Sequence, residues 1–112
     1  MADAARRILV GFDGSAESKR ALRWAAELAY LTRCEVQAIN AWDFPAYYDY
    51  PEPFEGWDTT TKPHEEFDAT VEQIDVNRRP IRLSLDVMRG DPAKVLIEES
   101  SHATMLVVGS RG

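Results

Sequence analysis

The sequence predicts an α/β domain in which helices cover both faces of one open, parallel β-sheet. Strand-like and helix-like segments alternate along the chain in the order β-α-β-loop-α-β-α-β. The first helical segment is rich in alanine, and small side chains let a helix lie close to a sheet. Residues 105–108 form a continuous apolar run, which is typical of a central parallel strand covered on both faces. These observations favour a three-layer α/β/α sandwich.

The first three elements follow from local patterns. Residues 7–12 predict a short strand that ends at the turn-forming residues 13–15. Ser15 is a suitable N-cap for the helix that follows, and residues 35–42 predict the second strand. Apolar residues recur at helical spacing in that helix, at Ala21, Leu22, Ala25, Leu28 and Ala29.

Residues 43–62 carry three prolines among six aromatic residues, and we predict a long loop there. Three alternatives remain open for it: a functional lid, a packed loop or a mobile segment. Thr61 and Pro63 mark the start of a second helix. Its narrow apolar stripe consists of Phe67, Val71 and Ile74.

The last third of the chain predicts a strand, a helix and a final strand. Residues 81–88 alternate between inward and outward positions, as in an edge strand with one wet side. Asp91 as N-cap and Pro92 as first helical residue open a third helix. Its inward-facing residues are expected to be Val95, Leu96 and, later, Ala103.

The composition excludes several classes of function. A chain of 112 residues is the size of one domain, and its formal net charge of −6 argues against nucleic-acid binding, which requires clustered cations. The apolar run at residues 8–10 is too short for a signal segment or a membrane span. The only cysteine, Cys34, fits a reduced packing residue. We therefore predict a soluble, cytoplasmic protein with neither a nucleic-acid nor a membrane partner.

Two glycine-containing motifs follow the first and fourth strands, where ligands bind in open parallel sheets. Within residues 11–15, glycines permit close backbone approach, and Asp13 could accept a hydrogen bond from a ribose hydroxyl or help hold Mg²⁺. In residues 109–112, backbone N–H groups can form an anion nest, to which Arg111 adds charge. Each motif alone is more typical of a turn or a helix cap, but their joint placement favours a ligand site.

The sequence resembles the universal stress protein domain in four separated motifs that occur in the family's order and spacing. They are ILVGFDGS at residues 8–15, ALRWA at 21–25, NAW at 40–42, and GDP at 90–92 continuing into LVVGSRG at 106–112. The resemblance implies a flavodoxin-like fold of the adenine nucleotide alpha hydrolase-like type. It also implies the strand order 3-2-1-4, with a fifth strand beside strand four.

The resemblance further implies a site for ATP, or for AMP or cyclic AMP, and the carboxylate of Asp13 could hold Mg²⁺ indirectly beside it. In the ATP-binding branch, Asp13 matches the position that faces the nucleotide, Ala41 matches the position whose backbone meets adenine, and Gly109 and Gly112 match the first two glycines of the phosphate loop. The implied nucleotide-binding residues are Gly11, Asp13, Gly14, Ser15, Ala41, Gly90, Gly109, Ser110, Arg111 and Gly112.

The family pattern continues beyond residue 112 through the rest of the phosphate loop, a helix and the fifth strand. We therefore expect residues 1–112 to form a single domain that is incomplete at its C-terminus. Without the fifth strand, residues 105–108 would be an exposed apolar edge that pairs with another chain, as in a homodimer.

Three hypotheses about function follow. The leading one is an adenine-nucleotide-binding regulatory stress-response domain without catalytic chemistry. The alternatives are a nucleotide-independent dimerisation or interaction module and a slow ATP hydrolase. Covalent catalysis lacks a second component, because no histidine or lysine is placed to activate Ser15 or Ser110. His64 and His102 have no metal-ligand spacing and are expected on helix surfaces.

Overall fold

A computed structural model of the chain describes residues 6–42, 61–74 and 80–109. These residues form four parallel strands in the order β3-β2-β1-β4 and three helices, so the α/β fold and the implied strand order are confirmed. Helix α2 begins at Thr61, and the rest of the predicted aromatic loop lies outside the described residues. The elements are β1 (Arg7–Gly11), α1 (Ala16–Thr32), β2 (Glu35–Trp42), α2 (Thr61–Glu72), β3 (Leu83–Arg89), α3 (Pro92–Ser100) and β4 (Met105–Val107).

The connections of the sheet change direction at β1. The chain runs from β1 to β2 and then to β3 on one side, and it returns to place β4 on the other side of β1. In register, Val10 of β1 lies between Ala38 of β2 and Val107 of β4. The carboxyl ends of β1 and β4 are therefore adjacent, and this is the position where parallel sheets open a crevice.

Helix α1 begins and ends with well-defined caps. The Ser15 hydroxyl accepts a hydrogen bond from the backbone N–H of Ser18 at 3.2 Å, which confirms the predicted N-cap. Arg33 ends the helix in the left-handed conformation (φ 60°), and its N–H donates to the carbonyl of Ala29. The buried face of the helix is mostly alanine, so the helix approaches the sheet closely.

Helices α1 and α2 share one face of the sheet, and α3 covers the other. Successive residues of a strand point to opposite faces, and the alternate residues Ile8, Val10 and Phe12 join the core beneath α1. Phe67 of α2 meets the Phe12 ring edge-on, with ring centroids 5.9 Å apart. On the opposite face, Leu96 of α3 lies over β1, so the prediction of helices on both faces is confirmed.

The two outer strands differ in how well the sequence predicts them. The alternating burial of β3 confirms an edge strand with one wet side, although the strand begins at Leu83 rather than at residue 81. The apolar run alone predicts a central strand covered on both faces, and that prediction is wrong, whereas the expectation of an exposed apolar edge in the absence of a fifth strand is confirmed for β4. Within the described residues β4 pairs with β1 alone, and Met105 and Leu106 are exposed. A continuous apolar run records hydrophobicity but not the number of neighbouring strands.

A chain of polar side chains crosses the sheet on the α3 face. The Arg7 guanidinium donates to Oε1 of Gln37 at 2.6 Å, and Nε2 of Gln37 donates to the Asp86 carboxylate. Arg7 also donates to the carbonyl oxygen of His102 at 3.1 Å. Because Gln37 is buried, these partners satisfy an amide that burial would otherwise penalise.

Two further sequence predictions concern single features. Cys34 is a buried free thiol that accepts a hydrogen bond from the Thr32 hydroxyl at 3.2 Å, as expected of a packing residue. Ala103 is partly buried, but it follows the end of α3 instead of lying on it. None of the helices in the described ranges is both long and apolar enough to cross a membrane.

Candidate functional site

A pocket of about 190 Å³ opens at the carboxyl ends of β1, β2 and β4. The N-termini of α1 and α3 border it, so it lies at the switch point of the sheet, where the sequence predicts a ligand site. Its described lining consists of Gly11, Phe12, Asp13, Ser15, Glu17, Ser18, Ile39, Ala41, Pro92, Leu96, Val108 and Gly109.

The turn after β1 places Asp13 in this lining. Oδ1 of Asp13 accepts a hydrogen bond from the backbone N–H of Ser15 at 2.9 Å, which closes the turn. Ser15 in turn caps α1. The carboxylate therefore lies at the mouth of the pocket beside the first turn of a helix.

Gly14 faces away from the pocket, towards α2. Its φ of +84° favours glycine, and a Cβ at this position would lie 2.9 Å from the carboxyl carbon of Glu66. The same carboxylate forms a salt bridge with Lys19 at 3.6 Å. Helix α2 thus supports the turn from outside, and its approach accounts for a glycine at position 14.

Gly11 and Gly109 line the pocket at positions where other segments of the chain approach the backbone closely. A Cβ at Gly109 would lie 2.7–2.8 Å from backbone atoms of Glu17, so the chain leaving β4 lies against the first turn of α1. A Cβ at Gly11 would lie 3.0 Å from Cδ1 of Leu96 and 3.4 Å from Cγ1 of Val108. A side chain at Gly11 would occupy part of the pocket.

Ala41 and Gly90 have different positions. Ala41 lines the pocket near the end of β2. Gly90 is absent from the described lining and adopts φ +148°, and its N–H donates to the carbonyl of Trp42 at 2.7 Å. It lets the chain turn into α3, where Asp91 accepts a hydrogen bond from the N–H of Lys94 and confirms the predicted N-cap. Gly90 therefore shapes the turn.

The electrostatics of the pocket combine two opposing features. The N-terminus of a helix carries partial positive charge, which favours an anion near α1 and α3. The charged side chains in the described lining, Asp13 and Glu17, are both acidic, and no basic side chain is among them. The described residues contain no group of three or more histidine, cysteine, aspartate or glutamate side chains that could hold a metal ion.

The structure brings together five of the ten residues predicted for the site, namely Gly11, Asp13, Ser15, Ala41 and Gly109. Gly14 and Gly90 lie outside the lining, and Ser110, Arg111 and Gly112 lie outside the described residues. Sequence reasoning missed Glu17, Ile39 and Leu96. Periodicity offered a signal for two of them, since Ile39 shares a strand face with Ala41 and Leu96 lies one helical turn after Pro92.

The fold and the pocket define a parallel-sheet α/β domain with a crevice at its switch point. The model of the universal stress protein family matches residues 4–112. The chain belongs to the universal stress protein family.

Relatives and solved structures agree with this assignment. The chain is 30% identical to the stress response protein NhaX of Bacillus subtilis, over 96% of this chain and 81% of that protein. It is 31% identical to the universal stress protein Rv2623 of Mycobacterium tuberculosis, over 94% of this chain but 35% of the relative.

Two solved structures share the fold at lower identity. A universal stress protein in complex with cAMP superposes with a TM-score of 0.63 at 20% identity, over 93% of this chain and 71% of that one. A universal stress protein family protein from Arabidopsis thaliana with AMP bound gives a TM-score of 0.57 at 21% identity, over 96% of this chain and 77% of that one.

Proposed function

We propose that this chain binds an adenine nucleotide, ATP or alternatively AMP or cyclic AMP, in the pocket at the switch point, and that binding has a regulatory role in a stress response. The observation that carries the proposal is the pocket itself. Asp13, Ala41 and Gly109 come from three separate segments of the sequence, and the fold gathers them around one cavity. Most ligand sites combine such an apolar cavity with a few polar groups.

Each part of the pocket suits one part of a nucleotide. Ile39, Leu96 and Val108 offer apolar surface to a flat base. The carboxylate of Asp13 is an acceptor for ribose hydroxyls. The N-termini of α1 and α3 supply positive potential for a phosphate.

The family supports the proposal at a coarser level. Proteins of this fold have been crystallised with cAMP and with AMP, as the two solved structures above indicate. At 20% and 21% identity these structures argue for the fold, so the choice of ligand rests on the pocket of this chain. An indirect Mg²⁺ site through Asp13 and a cytoplasmic location remain predictions from the sequence.

A regulatory role is favoured over catalysis by the position of the reactive side chains. His102 lies just before β4, at the opposite end of the sheet from the pocket, and His64 lies on the exposed side of α2. A hydrolase would need a residue that orients water near the terminal phosphate. A ligand that touches β1, β4, α1 and α3 would instead stabilise their relative positions.

A second candidate function is an interaction module, and the edge of β4 favours it. Met105, Leu106 and Val108 are exposed along this edge, and Trp24 of α1 lies beside it. An exposed apolar edge strand is a template for pairing with another chain. We propose that this edge mediates homodimer formation, with or without nucleotide.

The test is calorimetric titration with ATP, AMP and cyclic AMP of the wild type and the Asp13→Asn variant. Asparagine keeps the oxygen that accepts from Ser15 but loses the charge, so the turn is preserved. We expect saturable binding by the wild type and about tenfold or greater weakening in the variant, because a hydrogen bond to a charged acceptor is lost. Asp68→Asn on the exposed side of α2 is the matched control. Absence of binding for all three nucleotides would favour the interaction module.

A further inference from the structure

The last hydrogen bonds between β1 and β2 lie directly beside the proposed site. Pairing of the two strands ends at Gly11, which lies opposite Ile39. The N–H of Phe12, the next residue, still donates to the carbonyl of Ile39 at 2.9 Å. A regular parallel ladder would continue with a bond from the N–H of Ala41 to the carbonyl of Phe12. The next donor in line is therefore the N–H of Ala41.

A side chain takes the place of that donor. Nδ2 of Asn40 donates to the carbonyl oxygen of Phe12 at 2.9 Å, and within residues 6–42 no backbone bond joins Ala41 to Phe12. Asn40 is half-buried and does not belong to the described lining of the pocket, whereas Ala41 does. The Asn40 amide thus satisfies the terminal carbonyl of β1 and ends the ladder one bond early.

The early end of the ladder decides which backbone groups face the pocket. Along a parallel strand, the N–H and C=O of one residue point to one neighbouring strand, and those of the next residue point to the other. The carbonyl of Ile39 points to β1, so the N–H and C=O of Ala41 point in the same direction, past the end of β1. Because Asn40 holds the Phe12 carbonyl, the ladder does not consume the N–H of Ala41.

An N–H and a C=O that point the same way can recognise one edge of a purine base. The Watson–Crick edge of adenine presents an acceptor at N1 and a donor at N6, and proteins read bases by hydrogen bonds to this edge. Hypoxanthine, the base of inosine, presents a donor at N1 and an acceptor at O6. With the ribose held at Asp13, the reversed pattern would place donor against donor and acceptor against acceptor.

We propose that Asn40 is a positioning residue that gives the site its selectivity for adenine. By satisfying the Phe12 carbonyl, it leaves the backbone of Ala41 to pair with the base. The inference rests on the proposed function, because it assumes that the pocket holds a nucleoside. Asn40 itself contacts no ligand in this arrangement and acts through Phe12 and Ala41.

The experiment measures the binding of adenosine and inosine, which differ at this base edge, by calorimetric titration. Both nucleosides are uncharged, so a change of charge in the protein has little effect on either. Asn40→Leu keeps a branched side chain without an N–H group, and Asn40→Asp keeps nearly the same shape but has no donor when ionised. Gln73→Leu removes an exposed amide just after α2, outside the described pocket lining, and is the matched control. Circular dichroism verifies that each variant is folded.

We expect the wild type to bind adenosine about tenfold or more tightly than inosine, because inosine leaves the backbone pair of Ala41 mismatched. In both Asn40 variants this ratio should fall to about two or less, since the Phe12 carbonyl then accepts from the N–H of Ala41 and the ladder closes. The control should keep the wild-type ratio. A purely structural role of Asn40 would weaken both nucleosides equally, and an unchanged ratio would overturn the inference.

Amide hydrogen exchange of Ala41, followed by NMR, tests the arrangement without a ligand. In the wild type this N–H should exchange about tenfold or more faster than the N–H of Phe12, which is bonded to Ile39, and adenosine should slow it. In Asn40→Leu it should be protected without adenosine. A protected Ala41 N–H in the ligand-free wild type would contradict the inference, even if both Asn40 variants failed to fold.

Failure of the proposed function gives a different result. If the folded wild type binds neither adenosine nor inosine, the pocket holds no nucleoside, and the role of Asn40 fails with the proposed function. If the wild type binds both nucleosides with equal affinity, the pocket is correct but the Ala41 backbone does not read the base. In that case the inference alone fails.

Discussion

The two faces of the sheet are packed in different ways. On one face, α1 buries six residues and α2 buries two, and Leu22 and Ala25 have no exposed surface. On the other face, α3 has no fully buried residue, although it lies over β1 and β2. Burial is therefore concentrated on the α1 face, and the pocket lies between the N-termini of the well-buried helix α1 and the less buried helix α3. Ligand sites commonly include elements with few buried contacts.

The sharpest test of this comparison makes the same substitution on both faces. Leu22→Ala removes a fully buried side chain and should lower the free energy of unfolding by about 3 kcal/mol. Leu96→Ala removes a partly buried one and should lower it by about 1 kcal/mol. Urea denaturation monitored by circular dichroism measures both values. Equal decreases in the free energy of unfolding would show that α3 is packed as firmly as α1.

Gly14→Ala tests how α2 supports the turn after β1. Alanine is strained at φ +84° and would meet the Glu66 carboxylate, so we expect a loss of about 2 kcal/mol in unfolding free energy. Combining it with Glu66→Ala removes the contact but not the strain. The double mutant should therefore lose less than the sum of the two single variants. Strict additivity in urea denaturation would contradict the contact.

The smallest expected effect concerns the salt bridge between Lys19 and Glu66. Both side chains are partly exposed, so solvent screens the pair, and Lys19→Met should cost about 0.5 kcal/mol or less. Thermal unfolding in low salt and in about 1 M NaCl measures the stability difference between wild type and variant. This difference should shrink at high salt, because dissolved ions screen the attraction between the two charges. A cost that is independent of salt would show that the lysine stem, and not its charge, stabilises the turn.

Features set by local chemistry were predicted well. Ser15 and Asp91 cap their helices because a side-chain oxygen accepts a bond from an N–H group three residues later, and this depends on nearby residues alone. The alternation in β3 likewise records which side chains face the core. The strand order came from the family resemblance, since such patterns do not encode which strands are neighbours.

Features set by long-range contacts were predicted less well. The apolar run at residues 105–108 does not reveal what lies beside β4, and the expectation that this edge is exposed came from the family resemblance instead. Glu17 has the sequence context of an ordinary acidic residue in a first helical turn, and its place in the pocket depends on the approach of Gly109. Gly14 and Gly90 lie outside the described pocket lining and have positive φ angles in turns, and their assignment to the site stays a prediction.

The polar chain from Arg7 through Gln37 to Asp86 has a consequence for how the sheet assembles. Apolar side chains on one face can exchange partners after a two-residue slip of a strand, because the same face still points inward. After such a slip the Gln37 amide would lose partners on β1 and β3, and an unsatisfied buried amide is costly. The hydrogen bonds of the Gln37 amide therefore favour the native register of β1, β2 and β3 over shifted registers.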